Sequence, residues 1–226
     1  MIIGLNGYAG VGKDTVGIII QYLQCSNKGN LSIEDVIKDY KDHDWWLEDQ
    51  SEWEIKKFAG KLKDIAEHLT GIPLEKFEDQ EFKKTNLGPE WDCNPWGKVG
   101  TMHKEPMTVR EFLQRLGADA MRIGLHDNVW VNALFADYKP VDYNDDEQPR
   151  LPNWIITDCR FPNEAQVIKD KGGIIIRVDR PGVSPINNHP SEIGLDDWKF
   201  DYKIANVSDI FALKQSVEQI LKHANL

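Results

Sequence analysis

Cysteine is scarce in this chain: Cys25, Cys93 and Cys159 are an odd number with no C-x-x-C spacing. That disfavours a disulfide framework or a zinc cluster and predicts free thiols in a reducing compartment. Long hydrophobic runs are missing too. None approaches the roughly 20 residues of a spanning helix, and the chain enters at Met1-Ile2-Ile3-Gly4-Leu5 without a charged leader or cleavage site. The expectation is a cytoplasmic protein without membrane association. Positive charge is in deficit, Lys+Arg 27 against Asp+Glu 37 for a formal −10. Such a balance repels a nucleic-acid polymer and leaves room only for a local phosphate pocket. Glycine at 17 and proline at 11 of 226 residues are not in excess, which excludes disorder throughout. No internal repeat is visible, and the length suits one α/β domain of generous size.

What is present is an alternation of short apolar runs with amphipathic segments, the pattern of a parallel sheet covered by helices. Strands are expected at residues 1 to 6, 53 to 58, 153 to 157, 173 to 178 and 201 to 205. Ile2-Ile3-Gly4-Leu5, Trp154-Ile155-Ile156 and Ile174-Ile175-Ile176 lack clean alternation, so these three belong in the middle of the sheet, buried on both faces. Helical spacing marks residues 59 to 70 through Leu62, Ile65, Ala66 and Leu69. It recurs over 108 to 117, where Thr108 and Glu111 have capping-box spacing. A last helix starts near Asp209 with Ser208 as its cap. Residues 26 to 52, 86 to 106 and 138 to 152 break the rhythm and read as insertions on a single domain spanning 1 to 226.

Gly7-Tyr8-Ala9-Gly10-Val11-Gly12-Lys13-Asp14-Thr15 follows the first strand and opens a helix. Glycines let successive N–H groups turn inward around phosphate oxygens, the helix N-terminus adds partial positive charge, and the lysine reaches the outer phosphates. Gly10, Val11, Gly12, Lys13, Asp14 and Thr15 are therefore the candidate nucleotide cradle. The usual hydroxyl after the lysine is replaced by Asp14 and arrives only at Thr15. Mg²⁺ is then expected to be held largely through water, with Thr15 and Asp158 as protein contacts. Asp158 ends the third strand, at the carboxyl edge facing the loop; the competing role is a cap for the segment that follows. No N-K-x-D motif is present, which favours ATP over GTP.

Arg110, Gln114 and Gly117 lie at i, i+4 and i+7, a stripe distinct from the apolar Val109, Phe112, Leu113 and Leu116 face. An arginine fork can hold a phosphate, an amide can read a base edge and a glycine allows close approach. A solvated polar face has the same spacing. The chain resembles phage-type deoxynucleoside monophosphate kinases of the P-loop nucleoside monophosphate kinase class over most of its length outside the insertions. The likeness is carried by the loop, by Phe58-Ala59-Gly60-Lys61-Leu62-Lys63, Arg110 through Gly117, Asp158-Cys159-Arg160, Phe161-Pro162-Asn163-Glu164, Arg180-Pro181-Gly182 and His189-Pro190-Ser191-Glu192. It implies a P-loop kinase fold with a five-stranded parallel sheet flanked by helices, an acceptor-binding insertion and a lid at about 180 to 200. It further implies transfer of a phosphoryl group from ATP to a deoxynucleoside monophosphate, with Mg²⁺.

Carried over by position, the resemblance makes Arg110 the grip on the acceptor phosphate, with Gln114, Gly117 and Trp130 around it and Asp158, Lys63 and Lys84 as further acceptor candidates; the competing readings are a buried packing aromatic for Trp130 and solvated lysines on exposed helix faces for Lys63 and Lys84. Lys13, Arg160 and Arg180 are the cations that meet the transferred group, and Asn206 borders the adenine or caps its turn. Arg177, inside a strand, reads as facing an edge or forming an ion pair rather than as a catalytic cation, and His189 with Glu192 as lid contacts. Ala118 stands where a relative can place a hydroxyl. Two rivals share features: a phosphomevalonate-type kinase, through Ser191-Glu192 and Gly194-Leu195-Asp196, and a nucleotide-binding switch without catalysis. A phage-encoded enzyme would work in the host cytoplasm, as a monomer or homodimer.

Overall fold

Apolar runs without polar alternation become strands covered on both faces. The computed structural model describes residues 1–28, 30–38, 40–92, 105–141, 148–185 and 190–226, with backbone alone for 41–45. Five strands, β1 (Ile2–Asn6), β2 (Trp53–Lys56), β3 (Asn153–Ile156), β4 (Ile174–Asp179) and β5 (Tyr202–Ala205), form one sheet in the order β2-β3-β1-β4-β5. Every pairing is parallel, with Ile3 of β1 opposite Ile155 on one side and Ile174 on the other. All five expected strands are present, and the three expected in the middle are β3, β1 and β4. Because β1 has later strands on both flanks, its carboxyl end lies where strand order reverses, the place where open α/β sheets bind ligands.

The helices are α1 (Lys13–Leu23), α2 (Ile33–Lys38), α3 (Tyr40–Gln50), α4 (Phe58–Thr70), α5 (Val109–Gln114), α6 (Val129–Phe135), α7 (Pro162–Asp170), α8 (Pro190–Ile193) and α9 (Ile210–His223). The backbone divides into two compact units, residues 1–58 with 134–226, and residues 59–133. In the first, Ile3 and Leu5 of β1, Val16, Ile19 and Ile20 of α1, Ile176 and Val178 of β4, and Leu213 and Val217 of α9 make the core. Ile33, Val36 and Leu47 join it, so the insertion at 26 to 52 is anchored by α2 and α3. α9 is capped by Asp209, whose carboxylate accepts the Ala212 N–H at 2.9 Å. That displaces Ser208 from the expected role, since Asp209 is the last residue in extended conformation.

In the second unit Ala66, Phe77, Met107, Val109 and Phe112 form the core, with Trp91 packed edge-on against Phe112 at 5.0 Å. Thr108 accepts the Glu111 N–H at 3.1 Å, half of the expected capping box. The Glu111 carboxylate instead takes Arg115 at 2.7 Å. The helix expected to end at 117 continues from Arg115 to Ile123 as a π-helix, visible in the i−5 bonds of Gly124 N–H to Asp119 O at 2.9 Å and His126 N–H to Met121 O at 3.0 Å. Cys93, most of the 86 to 106 segment, Asp142 to Glu147 and His189 lie outside the described residues; Cys25 and Cys159 are buried free thiols.

Candidate functional site

Gly12 sits at φ +97° immediately before α1. A side chain there would be strained by the backbone and would place a Cβ 2.8 Å from the Asn206 amide. Lys13 starts the helix buried, and its ammonium donates to Gly7 O and Tyr8 O, both at 2.8 Å. The loop thus wraps its own lysine, with helix N–H groups at its base. Burial, then the Arg160 charge, push the Lys13 ammonium down to about 8, against the opposing pull of Asp14, Glu192 and Asp158. These charges share one neighbourhood.

Asp14, in the place of the usual hydroxyl, accepts from the Thr157 hydroxyl at 2.8 Å and pairs with Lys57 at 3.1 Å. Desolvation works to raise its carboxyl, but Lys57, Thr157 and Lys13 outweigh it and hold it below the usual carboxylate range. A carboxylate beside bound polyphosphate would repel it; here a lysine neutralises the charge. Lys57 was not singled out in the sequence, where a lysine between a strand and a helix carries no pattern. Asp158 accepts the Phe58 N–H at 2.7 Å. It therefore caps the start of α4, and the competing role expected for it, a cap for the following segment, belongs to Glu164, which receives the Arg160 and Phe161 N–H groups at 2.7 and 3.1 Å.

Asn206, expected beside the adenine or as the cap of its turn, is held through both its side chain and its backbone. Its amide donates to Val11 O at 2.9 Å while its backbone N–H donates to Asp179 O at 2.7 Å, bracing the loop against the end of β4. Arg160 donates to Ser191 O at 3.1 Å and pairs with Glu192 at 3.0 Å. Arg180 is exposed at the turn after β4 and has no side-chain partner among the described residues. Arg177 is buried and ion-paired, as expected, to Asp179 at 2.8 Å and Asp196 at 3.3 Å.

The acceptor candidates Lys63, Lys84, Arg110, Gln114, Gly117 and Trp130 belong to the second unit. Arg110 is half-buried and donates to Gln80 at 3.1 Å; Gln114, one turn further along α5, is half-buried too. Gly117 departs from their stripe. π winding begins at Arg115, so Gly117 turns inward, where a Cβ would come 3.1 Å from Leu62. Its carbonyl accepts the indole N–H of buried Trp130 at 2.9 Å. The polar atom of Trp130 is thus satisfied by the protein. Lys63 is not on a solvated face: it is buried and ion-paired with Glu78. Lys84 is exposed and paired with Glu81 at 2.7 Å.

Residues 92–217 match the family described as deoxynucleotide monophosphate kinase. A protein of Acanthamoeba polyphaga mimivirus, provisionally named for the same activity, is 31% identical over 162 residues, 67% of this chain and 74% of the relative. The deoxynucleotide monophosphate kinase of Enterobacteria phage T4 is 29% identical over 53% of this chain and 47% of its own length. The deoxynucleoside-5'-monophosphate kinase of Escherichia phage T5 is 23% identical, covering 92% of this chain and 90% of its own.

Proposed function

This chain belongs to the deoxynucleotide monophosphate kinase family, and on that premise we propose that its first unit binds ATP and its second receives the deoxynucleoside monophosphate. The activity is phosphoryl transfer to the deoxynucleoside monophosphate from ATP, the substrate a kinase of this family implies. The two units together form one P-loop kinase domain. The observation that carries the donor assignment is Lys13, buried at a helix start with its ammonium on two loop carbonyls.

Phosphoryl transfer asks the protein for positioning and for positive charge on the oxygens of the moving group. Gly10 to Thr15 supply the N–H cradle, and Lys13 exchanges its carbonyl partners for phosphate. Asn206 holds the cradle's shape. Arg160 and Arg180 meet the transferred group, Arg160 oriented by Glu192 and Arg180 from its exposed turn. Arg110 grips the acceptor phosphate and Gln114 borders the base, while Gly117 and Trp130 shape the wall behind them; Lys63 and Lys84 add positive charge at the rim. Among the described residues no cluster of three His, Cys, Asp or Glu side chains could hold a metal unaided. Thr15 and Asp158 would hold, mainly through water, a Mg²⁺ that enters with the nucleotide, and the ion would supply neutralisation of phosphate charge. No helix among the described residues is long and apolar enough to cross a membrane.

The assay is product formation from ATP with each deoxynucleoside monophosphate, with ribonucleotides and with phosphomevalonate. Deoxynucleoside diphosphates are the expected products. Turnover of phosphomevalonate alone, or ATP binding without any transfer, would reject the proposal in favour of the two rivals.

Arg110→Ala removes a charge-assisted contact of about 1.5 to 3 kcal/mol, so acceptor KM is expected to rise by roughly one to two orders of magnitude at unchanged ATP affinity. Steady-state titration of each substrate checks this; an unaltered acceptor KM removes Arg110 from the site. A second expectation concerns pH. Free Lys13 titrates at about 8, and polyphosphate beside it favours the charged form. ATP binding between pH 8 and 9 should therefore take up a proton, and affinity should fall as pH rises through that range. Calorimetry in two buffers of different ionisation heat measures the uptake; equal apparent enthalpies would contradict it.

A further inference from the structure

Arg177 is unusual for a central strand: a charged side chain only 7% exposed. It is held from several directions. Its guanidinium pairs with Asp179 at 2.8 Å and Asp196 at 3.3 Å, donates to the Asn6 side chain at 2.7 Å, and lies 4.5 Å from the centre of the Tyr8 ring and 5.7 Å from that of Phe200. Tyr8 closes the circuit by donating its hydroxyl to the other Asp196 oxygen at 3.0 Å. Asn6 extends it by donating to Cys159 O at 2.8 Å, between Asp158 and Arg160.

Burying such a group is costly, and a well-packed apolar cluster is often as stable, so geometry rather than stability is the gain to look for. Tyr8 is part of the phosphate loop, and its carbonyl is one of the two that hold the Lys13 ammonium. Fixing the Tyr8 ring between a cation and a carboxylate fixes that carbonyl, and with it the turn that Gly10 and Gly12 complete. Asp196 is itself fixed: Leu195 beside it is buried, and the backbone turns tightly through Asp196 N–H to Ile193 O at 3.1 Å.

We propose that Asp196, acting through Tyr8 and Arg177, is a positioning residue that holds the phosphate loop in its nucleotide-binding shape. The proposal rests on the reading of the loop as the ATP site. Asp196 touches neither substrate; its effect passes through Tyr8. The same short segment carries Ser191 and Glu192, the partners of Arg160, so one stretch of chain sets both the cradle and a cation proposed to meet the transferred group.

The test is ATP affinity of the full chain, by titration without acceptor, for Tyr8→Phe, Asp196→Asn, the double variant and Lys13→Met. Each single change at the pair should weaken ATP about fivefold, and the double variant should be no weaker than the poorer single, because both remove one link. Acceptor KM and the thermal midpoint should stay close to wild type. Unchanged affinity in both singles, or losses that multiply to about 25-fold, overturns the proposal. So does a fall in affinity that tracks a fall in thermal midpoint, the mark of a purely structural role. Lys13→Met separates the two levels. If it binds ATP as well as wild type, the donor assignment itself has failed; if it does not, and the pair variants bind normally, only the positioning role of Asp196 has.

Discussion

Lys13→Met is expected to lower kcat/KM by about three orders of magnitude, the upper range for deleting one preorganised cationic contact to developing negative charge. Methionine keeps the length and fills the buried stem, so the loss is electrostatic. Two carbonyls, Gly7 O and Tyr8 O, lose their 2.8 Å donor, at about 1 to 3 kcal/mol for such groups when left buried and unpaired. A compensating gain is expected. Lys13 titrates at about 8 in the fold against 10.5 in the free side chain, so the unfolded chain binds more protons between those values. Wild-type stability therefore rises with pH across that window, and the methionine variant should lose this slope. Denaturant titrations at pH 7.5 and 10 give the slope and single-turnover kinetics the rate. A variant retaining more than a tenth of wild-type kcat/KM would show that another group neutralises the outer phosphates.

Arg160→Ala is expected to reduce kcat by roughly two to three orders of magnitude while sparing the acceptor KM, since its charge matters most as negative charge spreads over the moving group. It will also destabilise the protein. The Glu192 side chain is 8% exposed and pairs with Arg160, which is 34% exposed, so truncation leaves a buried carboxylate without its ion-pair partner, at a cost below the roughly 3 to 5 kcal/mol of breaking a fully buried pair. Arg160→Lys separates the effects by keeping a charge opposite Glu192 but losing the guanidinium fork, which also reaches Ser191 O. Stability close to wild type with kcat still much reduced is the expected pattern. If kcat recovers in full with lysine, a point charge suffices; if it never falls with alanine, Arg160 does not meet the transferred group.

Much of this architecture was legible because its signals are local. Ile2 to Leu5, Trp154 to Ile156 and Ile174 to Ile176 are uniformly apolar, and only a strand covered on both faces tolerates that in a short run. Gly7 to Thr15 is recognisable because close phosphate contact demands glycines at fixed offsets from a lysine. What stayed illegible depends on distance along the chain or on a change of period. A 3.6-residue count places Gly117 on the Arg110 stripe, and that count fails where i−5 bonding begins after Gln114. Lys63 looked solvated because its partner, Glu78, lies in a separate short 3₁₀ turn of the second unit. Thr157 on Asp14, Asn206 on Val11 and Asp196 on Tyr8 join residues 143, 195 and 188 positions apart, separations that no periodicity reports. The cap of α9 is Asp209 rather than Ser208, because the extended backbone persists one residue further and its carboxylate reaches the Ala212 N–H.

Those long separations bear on how the protein comes into being. The phosphate loop leaves the ribosome well before the side chains that shape it, which are supplied from beyond residue 150. A half-synthesised chain carries the glycines and the lysine but lacks the hydroxyl, the amide and the carboxylate that give them form. Competence to hold ATP should thus emerge late and all at once, and refolding should be paced by these distant closures. Ligand added early in refolding would find nothing to stabilise.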